Sequence, residues 1–260
     1  MSGGHRMSEN RAGVQFILKM TPEFKKIHIL YEDNDMLALY KPSGLIVHSD
    51  GRTKEPSLSD WLVKKYPEIK KVGEPWRATD GTIIWRPGIV HRLDRETSGA
   101  ILIAKTPEAY DFFKKQFQER RVKKTYRAFV YGPVKNDTGL IDRLIGRSKN
   151  DFRKWSAEYG ARGERREAVT SYKVLKRGKE ASYVEAYPET GRTHQIRVHL
   201  KAIGHPVVHD TLYAPKGPNI LGFTRTALHS FSIDVVTPSQ KVLHIEAPLP
   251  DDFKKAEKML

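Results

Sequence analysis

Residues His91 to Thr106 read HRLDRETSGAILIAKT. Five of the first six side chains are charged or ionisable, and an unbroken apolar run follows from Ala100 to Ala104. A short apolar run bounded by turn residues reads as a strand buried on both faces. Thr97-Ser98-Gly99 supplies the turn, and glycine lets the backbone bend sharply into the strand. Asp94 is thereby placed on a rigid element at the rim of a sheet. Neighbouring cations favour its ionised form. Most such carboxylates only pair on the surface, here with Arg92 or Arg95. A fixed, desolvated carboxylate can instead act as a nucleophile or stabilise a developing cation.

Outward from this stretch, Thr106-Pro107-Glu108 opens a helix with a cap, a first-position proline and an acid in the first turn. Tyr110, Phe113 and Phe117 form its apolar face. Ser57 to Tyr66 predicts another helix, capped by Ser57. Strands are predicted in IHILYED, MLALY and LIVH between residues 27 and 48, and in TYRAFVYG, SYKVL, SYVEAYP, THQIRV and VLHIEAP. Residues 73–88 hold three glycines, two prolines and Asp80-Gly81, and read as a loop. Residues 135–137 and 164–167 read as polar connections. Strands and helices do not alternate regularly, so the expected class is α+β, a mixed, mainly antiparallel sheet flanked by helices and loops. A flexible arm over residues 1–24 and one domain over 25–260 are expected.

Lysine and arginine total 46 against 31 acids in 260 residues, a net charge of +15. That excess fits a polyanionic partner. Without cysteine there is no disulfide framework and no thiolate nucleophile. No apolar run reaches the roughly 18 residues of a membrane span. A cytoplasmic monomer with no membrane partner is expected.

In GRTHQIRVHLKAIGHPVVHDTLY, residues 191–213, a strand would put Thr193, Gln195 and Arg197 on one face and His194, Ile196 and Val198 on the other. His194, His199, His205 and His209 lack metal-site spacing, so no metal is expected. Tyr126, in KKTYRAFVYG, shares a strand face with Ala128 and Val130, where a core or edge tyrosine is the usual reading. Lys123-Lys124 and the clusters at 162–166 and 147–154 read as solvated faces. In the last, Phe152 and Trp155 interleave with Arg147, Lys149, Arg153 and Lys154, a mixture suited to phosphate contact and base stacking.

HRLDRETSG, KKTYRAFVYG and GRTHQIRVHLKAIGHPVV, in this order, resemble the RluA-type RNA pseudouridine synthases. YKPSGLIVH, REAVTSY and ALHSFSI with LHIEAPLP extend the resemblance over about residues 27 to 251. It implies a pseudouridine synthase fold with a central catalytic cleft, and RNA (ribosomal or transfer) as substrate. It implies that Asp94 is the catalytic aspartate and Tyr126 the tyrosine beneath the base. Arg197 would pair with the aspartate, Arg92 would fill the gap left by a flipped uridine, and Ile196 would wall the pocket. His91 and Thr193, from the same motifs, join the expected substrate-binding residues. No cofactor is implied, because the isomerisation is redox-neutral. Two departures stand out. His209 occupies a position where the family usually has glycine, and only about 25 residues precede the matching region, so no S4-like RNA-binding domain is expected. A catalytically silent RNA-binding or ribosome-assembly factor is the alternative that this reading leaves.

Overall fold

The computed structural model describes residues 22–49, 55–77, 81, 83–157 and 161–260. Along the chain come β1 (His28–Glu32), β2 (Met36–Lys41), α1 (Leu58–Lys65), β3 (Pro75–Arg77), β4 (Ile83–Trp85), β5 (Ser98–Ala104), α2 (Pro107–Gln118), β6 (Lys123–Tyr131), β7 (Thr138–Asp142) and β8 (Ile145–Arg147). Then follow β9 (Trp155–Ser156), β10 (Arg162–Arg166), β11 (Val169–Arg177), β12 (Ala181–Pro188), α3 (Gln195–Ala202), β13 (Leu228–Val236), β14 (Val242–Glu246) and α4 (Asp251–Met259).

Nine strands form one sheet in the order β1-β2-β5-β13-β6-β12-β11-β7, with β14 also paired to β13. The β5–β13 pair is parallel and the other pairs of this sheet are antiparallel. The fold is therefore the expected α+β arrangement. All seven residues of β5 are buried between β2 and β13, which accounts for its continuous apolar run. Gly99 has φ +113°, and a Cβ there would lie 2.1 Å from the Ser230 carbonyl oxygen. Only glycine lets β5 approach β13 so closely where the two strands begin to pair.

Helix starts follow the capping rules. The Thr106 hydroxyl accepts from the Ala109 amide at 3.1 Å, with Pro107 at the first position of α2. Ser57 and Asp60 form a reciprocal capping box at the start of α1. At the C-terminus, α4 buries Phe253 against the rings of Phe129, Tyr183 and Phe223.

Several local expectations give way. The segment THQIRV is not a strand: Gln195–Ala202 is the helix α3. Its alternation of polar and apolar residues mimics a half-exposed strand, yet Gln195 through Leu200 are all buried. The polar side chains are satisfied inside the protein rather than by water. Gln195 bonds Thr190, Thr170 and the Val169 carbonyl, and His199 bonds Thr170 and the Arg143 carbonyl. The stretch 73–88 contains a two-stranded hairpin, β3 with β4. Residues 162–166 form β10, which with β8 and β9 makes a separate three-stranded sheet. LIVH contributes a single bridge, Ile46 to Ser57, and no strand. Residues 1–21 of the expected arm lie outside the described residues, and Phe24–Lys26 form a 3₁₀ turn with Phe24 buried.

Candidate active site

The loop between Val90 and Ser98 carries Asp94, and it is anchored from both sides. The Leu102 amide of β5 donates to His91 Nε2 at 2.8 Å, and the His91 ring stacks on Phe117 at 4.7 Å. On the other side the buried Lys41, at the end of β2, donates to the carbonyls of Pro42, Leu45 and Arg95. The Gly44 amide also donates to the Arg95 carbonyl, and the Ser43 hydroxyl donates to that of Glu96. YKPSG and HRLDRE, far apart in sequence, thus form one hydrogen-bonded unit. Leu93 is buried beneath it. Asp94 is what this unit presents to the cleft.

Arg197 on α3 meets it there. Its Nη1 donates to Asp94 Oδ2 at 3.0 Å, while Nε and Nη2 grip Asp210 at 2.7 and 2.8 Å. Asp210 is fully buried and also accepts the Leu212 and Tyr213 amides, both at 3.0 Å. One guanidinium, 7% exposed, therefore bridges two carboxylates. The Tyr213 ring lies 5.0 Å from that guanidinium, and its hydroxyl is 2.8 Å from His194 Nδ1. The Trp155 amide donates to the same hydroxyl at 3.0 Å, which ties the small sheet to the site. His194 Nε2 is 4.0 Å from Asp94 Oδ1.

Burial pushes the Asp94 pKa up, but the charges of His194 and Arg197, together with the Arg197 hydrogen bond, pull harder, so the net shift is downward. Burial also holds His194 below its usual value, although the Asp94 carboxylate pulls the other way. Arg197 itself is raised, because Asp210 and Asp94 outweigh its desolvation. Burial pushes the Tyr126 hydroxyl up to about 12 and the His91 imidazole down to about 3. Both are neutral across the physiological range.

A cavity of about 620 Å³ opens over these groups, large enough for a nucleotide. Asp94, Tyr126, Arg197, Arg92, Ile196, His91 and Thr193 all line it. The structure thus gathers the seven residues named as catalytic or substrate-binding candidates, with Ile196 and Arg197 on the helix α3 rather than the expected strand. Tyr126 and Ile196 are buried in its walls, and Arg92 is exposed at its rim. His91 has one ring nitrogen committed to the β5 backbone, so it braces the loop as well as lining the cavity. Sequence reasoning missed the grip of Asp210, the bracing by Lys41 and Tyr213, and Lys124, which lines the cavity instead of lying on a solvated face. His209 adopts φ +55°, the left-handed region where glycine is usual, so its substitution keeps the backbone course and leaves Asp210 in place. Among the described residues no cluster of three His, Asp or Glu side chains could hold a metal. No helix among them is long and apolar enough to cross a membrane.

The family model for RNA pseudouridylate synthase matches residues 35–202, which include Asp94, Tyr126 and Arg197. This chain belongs to that family. The chain is 36% identical over 230 residues to an uncharacterized RNA pseudouridine synthase of Synechocystis, covering 88% of this chain and 67% of that protein. It is 36% identical over 265 residues to ribosomal large subunit pseudouridine synthase D of Neisseria meningitidis, covering 97% of this chain and 66% of the relative. An uncharacterized RNA pseudouridine synthase of Aquifex aeolicus is 40% identical over 205 residues, covering 78% of this chain and 61% of that protein. The chain thus spans about two thirds or less of the length of these relatives. Human RNA pseudouridylate synthase domain containing 1 superposes with a TM-score of 0.68 at 27% identity, covering 86% of this chain and 84% of that one.

Proposed function

We propose that this protein isomerises uridine to pseudouridine in structured RNA, with Asp94 as the catalytic carboxylate. The observation that carries this is the Arg197 bridge, which holds an ionised Asp94 at 3.0 Å inside a cavity of nucleotide size. In the isomerisation the N1–C1′ bond breaks, the base turns, and C5 bonds to C1′ while a proton moves from C5 to N1. Positive charge gathers on the ribose as the base departs, and a fixed carboxylate stabilises that charge or adds to it. Tyr126 lies beneath the base and Ile196 walls the pocket. Because its hydroxyl stays protonated to about pH 12, Tyr126 offers a hydrogen-bond donor rather than a phenolate.

The target uridine must leave its helix, which costs a few kcal/mol. Arg92, exposed beside Asp94, is placed to occupy the vacancy, and Thr193 and His91 complete the rim and wall. With RNA bound, bulk water must be kept from the cleaved sugar, which hydrolysis would otherwise convert to an abasic site. The similarity to ribosomal large subunit synthases makes large-subunit ribosomal RNA the leading substrate, with transfer RNA the second. The nine-stranded sheet, which draws its strands from both ends of the chain, supports a single catalytic domain over 25–260. Pseudouridine mapping of total RNA with and without the gene tests the proposal. The expected result is the loss of one or a few defined pseudouridines, restored by the intact gene but not by Asp94→Asn. Unchanged RNA nucleosides would leave a silent RNA-binding role instead.

A further inference from the structure

Six lysine and arginine side chains line the cavity. Most are already committed. Lys114 pairs with Glu74, Arg120 with Glu167 at 2.7 Å, and Arg197 with both Asp94 and Asp210. Arg192 donates from Nε to the Glu167 carbonyl, and Arg92 is exposed at the rim. Lys124 differs from all of these. It is half-buried on β6, and the hydrogen bond it makes is a long one, 3.5 Å to the Thr190 carbonyl. Among the described residues no carboxylate pairs with it. A half-buried ammonium without an anionic partner is costly unless something neutralises it.

Its position says what that something is. Lys124 and Tyr126 are two residues apart on one strand, so both side chains face the cavity. A uracil ring resting on Tyr126 lies beside the lysine. Burial lowers the Lys124 pKa to about 8, and the effect of its charge on His91 places it in the same corner of the cavity. Lys124 reaches the Thr190 carbonyl, and His91, which feels its charge, stacks on Phe117, another lining residue.

We propose that Lys124 is a further catalytic residue, its ammonium donating a hydrogen bond to a uracil carbonyl oxygen and offsetting the negative charge on the departing base. This rests on the uridine isomerisation proposed above. When N1–C1′ breaks, the bonding pair stays with the base and spreads over N1 and the carbonyl oxygens. Lys124 keeps its three protons throughout, so no proton is transferred to or from it. The interaction strengthens as charge develops, and this is what speeds the step rather than merely tightening substrate binding. The same contact gives selectivity for a base with an acceptor at that position.

The test uses the whole chain and large-subunit ribosomal RNA transcribed with 5-tritiated uridine, with tritium release measured in single turnover at saturating enzyme between pH 6.5 and 9. Release by the unmodified chain carries the underlying function. The ratio between it and the Lys124 variants carries this proposal. Lys124→Met is expected to slow release about 100-fold while RNA affinity stays within about twofold. The unmodified chain is expected to slow above about pH 8, as the ammonium loses its proton, and Lys124→Arg is expected to abolish that limb. A Lys124→Met rate within twofold of the unmodified chain overturns the proposal. So does a loss that lies wholly in RNA affinity, which would make Lys124 a phosphate contact. Should Lys124→Met fail to fold, an alkaline limb that persists in Lys124→Arg overturns it alone.

Discussion

Arg197 binds Asp94 with one terminal nitrogen and Asp210 with its other two, so a single guanidinium joins the cleft carboxylate to a fully buried one. The two contacts have different duties. Asp210 fixes the plane of the guanidinium, and the remaining N–H is then aimed at Asp94 without freedom to turn.

Removing Arg197 strands Asp210. Arg197→Met is expected to destabilise the fold by about 3–5 kcal/mol, the cost of leaving one member of a buried ion pair uncompensated. Asp210→Asn keeps the shape but weakens the clamp, and is expected to cost about 1–3 kcal/mol. Its turnover should fall at least tenfold with RNA affinity unchanged. Urea denaturation and single-turnover assays read the two effects separately, and an Asp210→Asn protein with full activity would remove the positioning role.

Gly99 is held at φ +113° with the Ser230 carbonyl where a Cβ would go. Gly99→Ala is expected to lower stability by at least about 2 kcal/mol, combining left-handed strain with a backbone clash. An unchanged urea midpoint would show that β5 and β13 can separate at no cost.

His209 presents the converse case. At φ +55° it already carries the strain that glycine would relieve, while glycine would add chain entropy to the unfolded state. His209→Gly is therefore expected to stay within about 1 kcal/mol in stability and to keep its activity. His209→Val, β-branched at a left-handed position, should lose about 1–2 kcal/mol or more. A large activity loss in His209→Gly would assign the imidazole a role of its own.

Two imidazoles give a pH dependence of stability. Burial lowers His91 to about 3 and His229 to about 4, whereas unfolded histidine titrates near 6.5. Between these values the unfolded chain binds more protons than the folded one, so acid favours unfolding. Stability should be full above about pH 6.5 and decline as pH falls towards 4. Comparing urea midpoints at pH 7 and pH 5 checks the sign. His229→Gln should flatten part of that slope, and equal midpoints would contradict the burial of both rings.

Much of this was legible in the sequence because local chemistry and tertiary context agree. The apolar run at 100–104, the turn at Gly99 and the cap at Thr106 each signal one structure, and that structure forms. The α3 segment was not legible. Its buried polar residues, Gln195, Arg197 and His199, take their partners from Thr170, Asp210 and Arg143, which lie far along the chain or beyond a turn. No periodicity count includes such partners. Asp94 could be placed at a sheet rim by its neighbours, but its pairing with Arg197, 103 positions away, came only with the family resemblance and is now seen as a contact. Lys124 is half a motif from Tyr126, yet nothing in Lys123-Lys124 tells which lysine turns inward until the strand's facing is known.

The proposed uridine isomerisation rests on the Asp94 carboxylate. The most direct measurement is tritium release from RNA containing 5-tritiated uridine, comparing the unmodified chain with Asp94→Asn. Asp94→Asn removes the charge and nearly preserves the shape, and a melting curve confirms the fold. Release by the unmodified chain without added cofactor, with a loss of at least about 1,000-fold in Asp94→Asn, is the predicted result. Full activity in Asp94→Asn would contradict a catalytic role for that carboxylate.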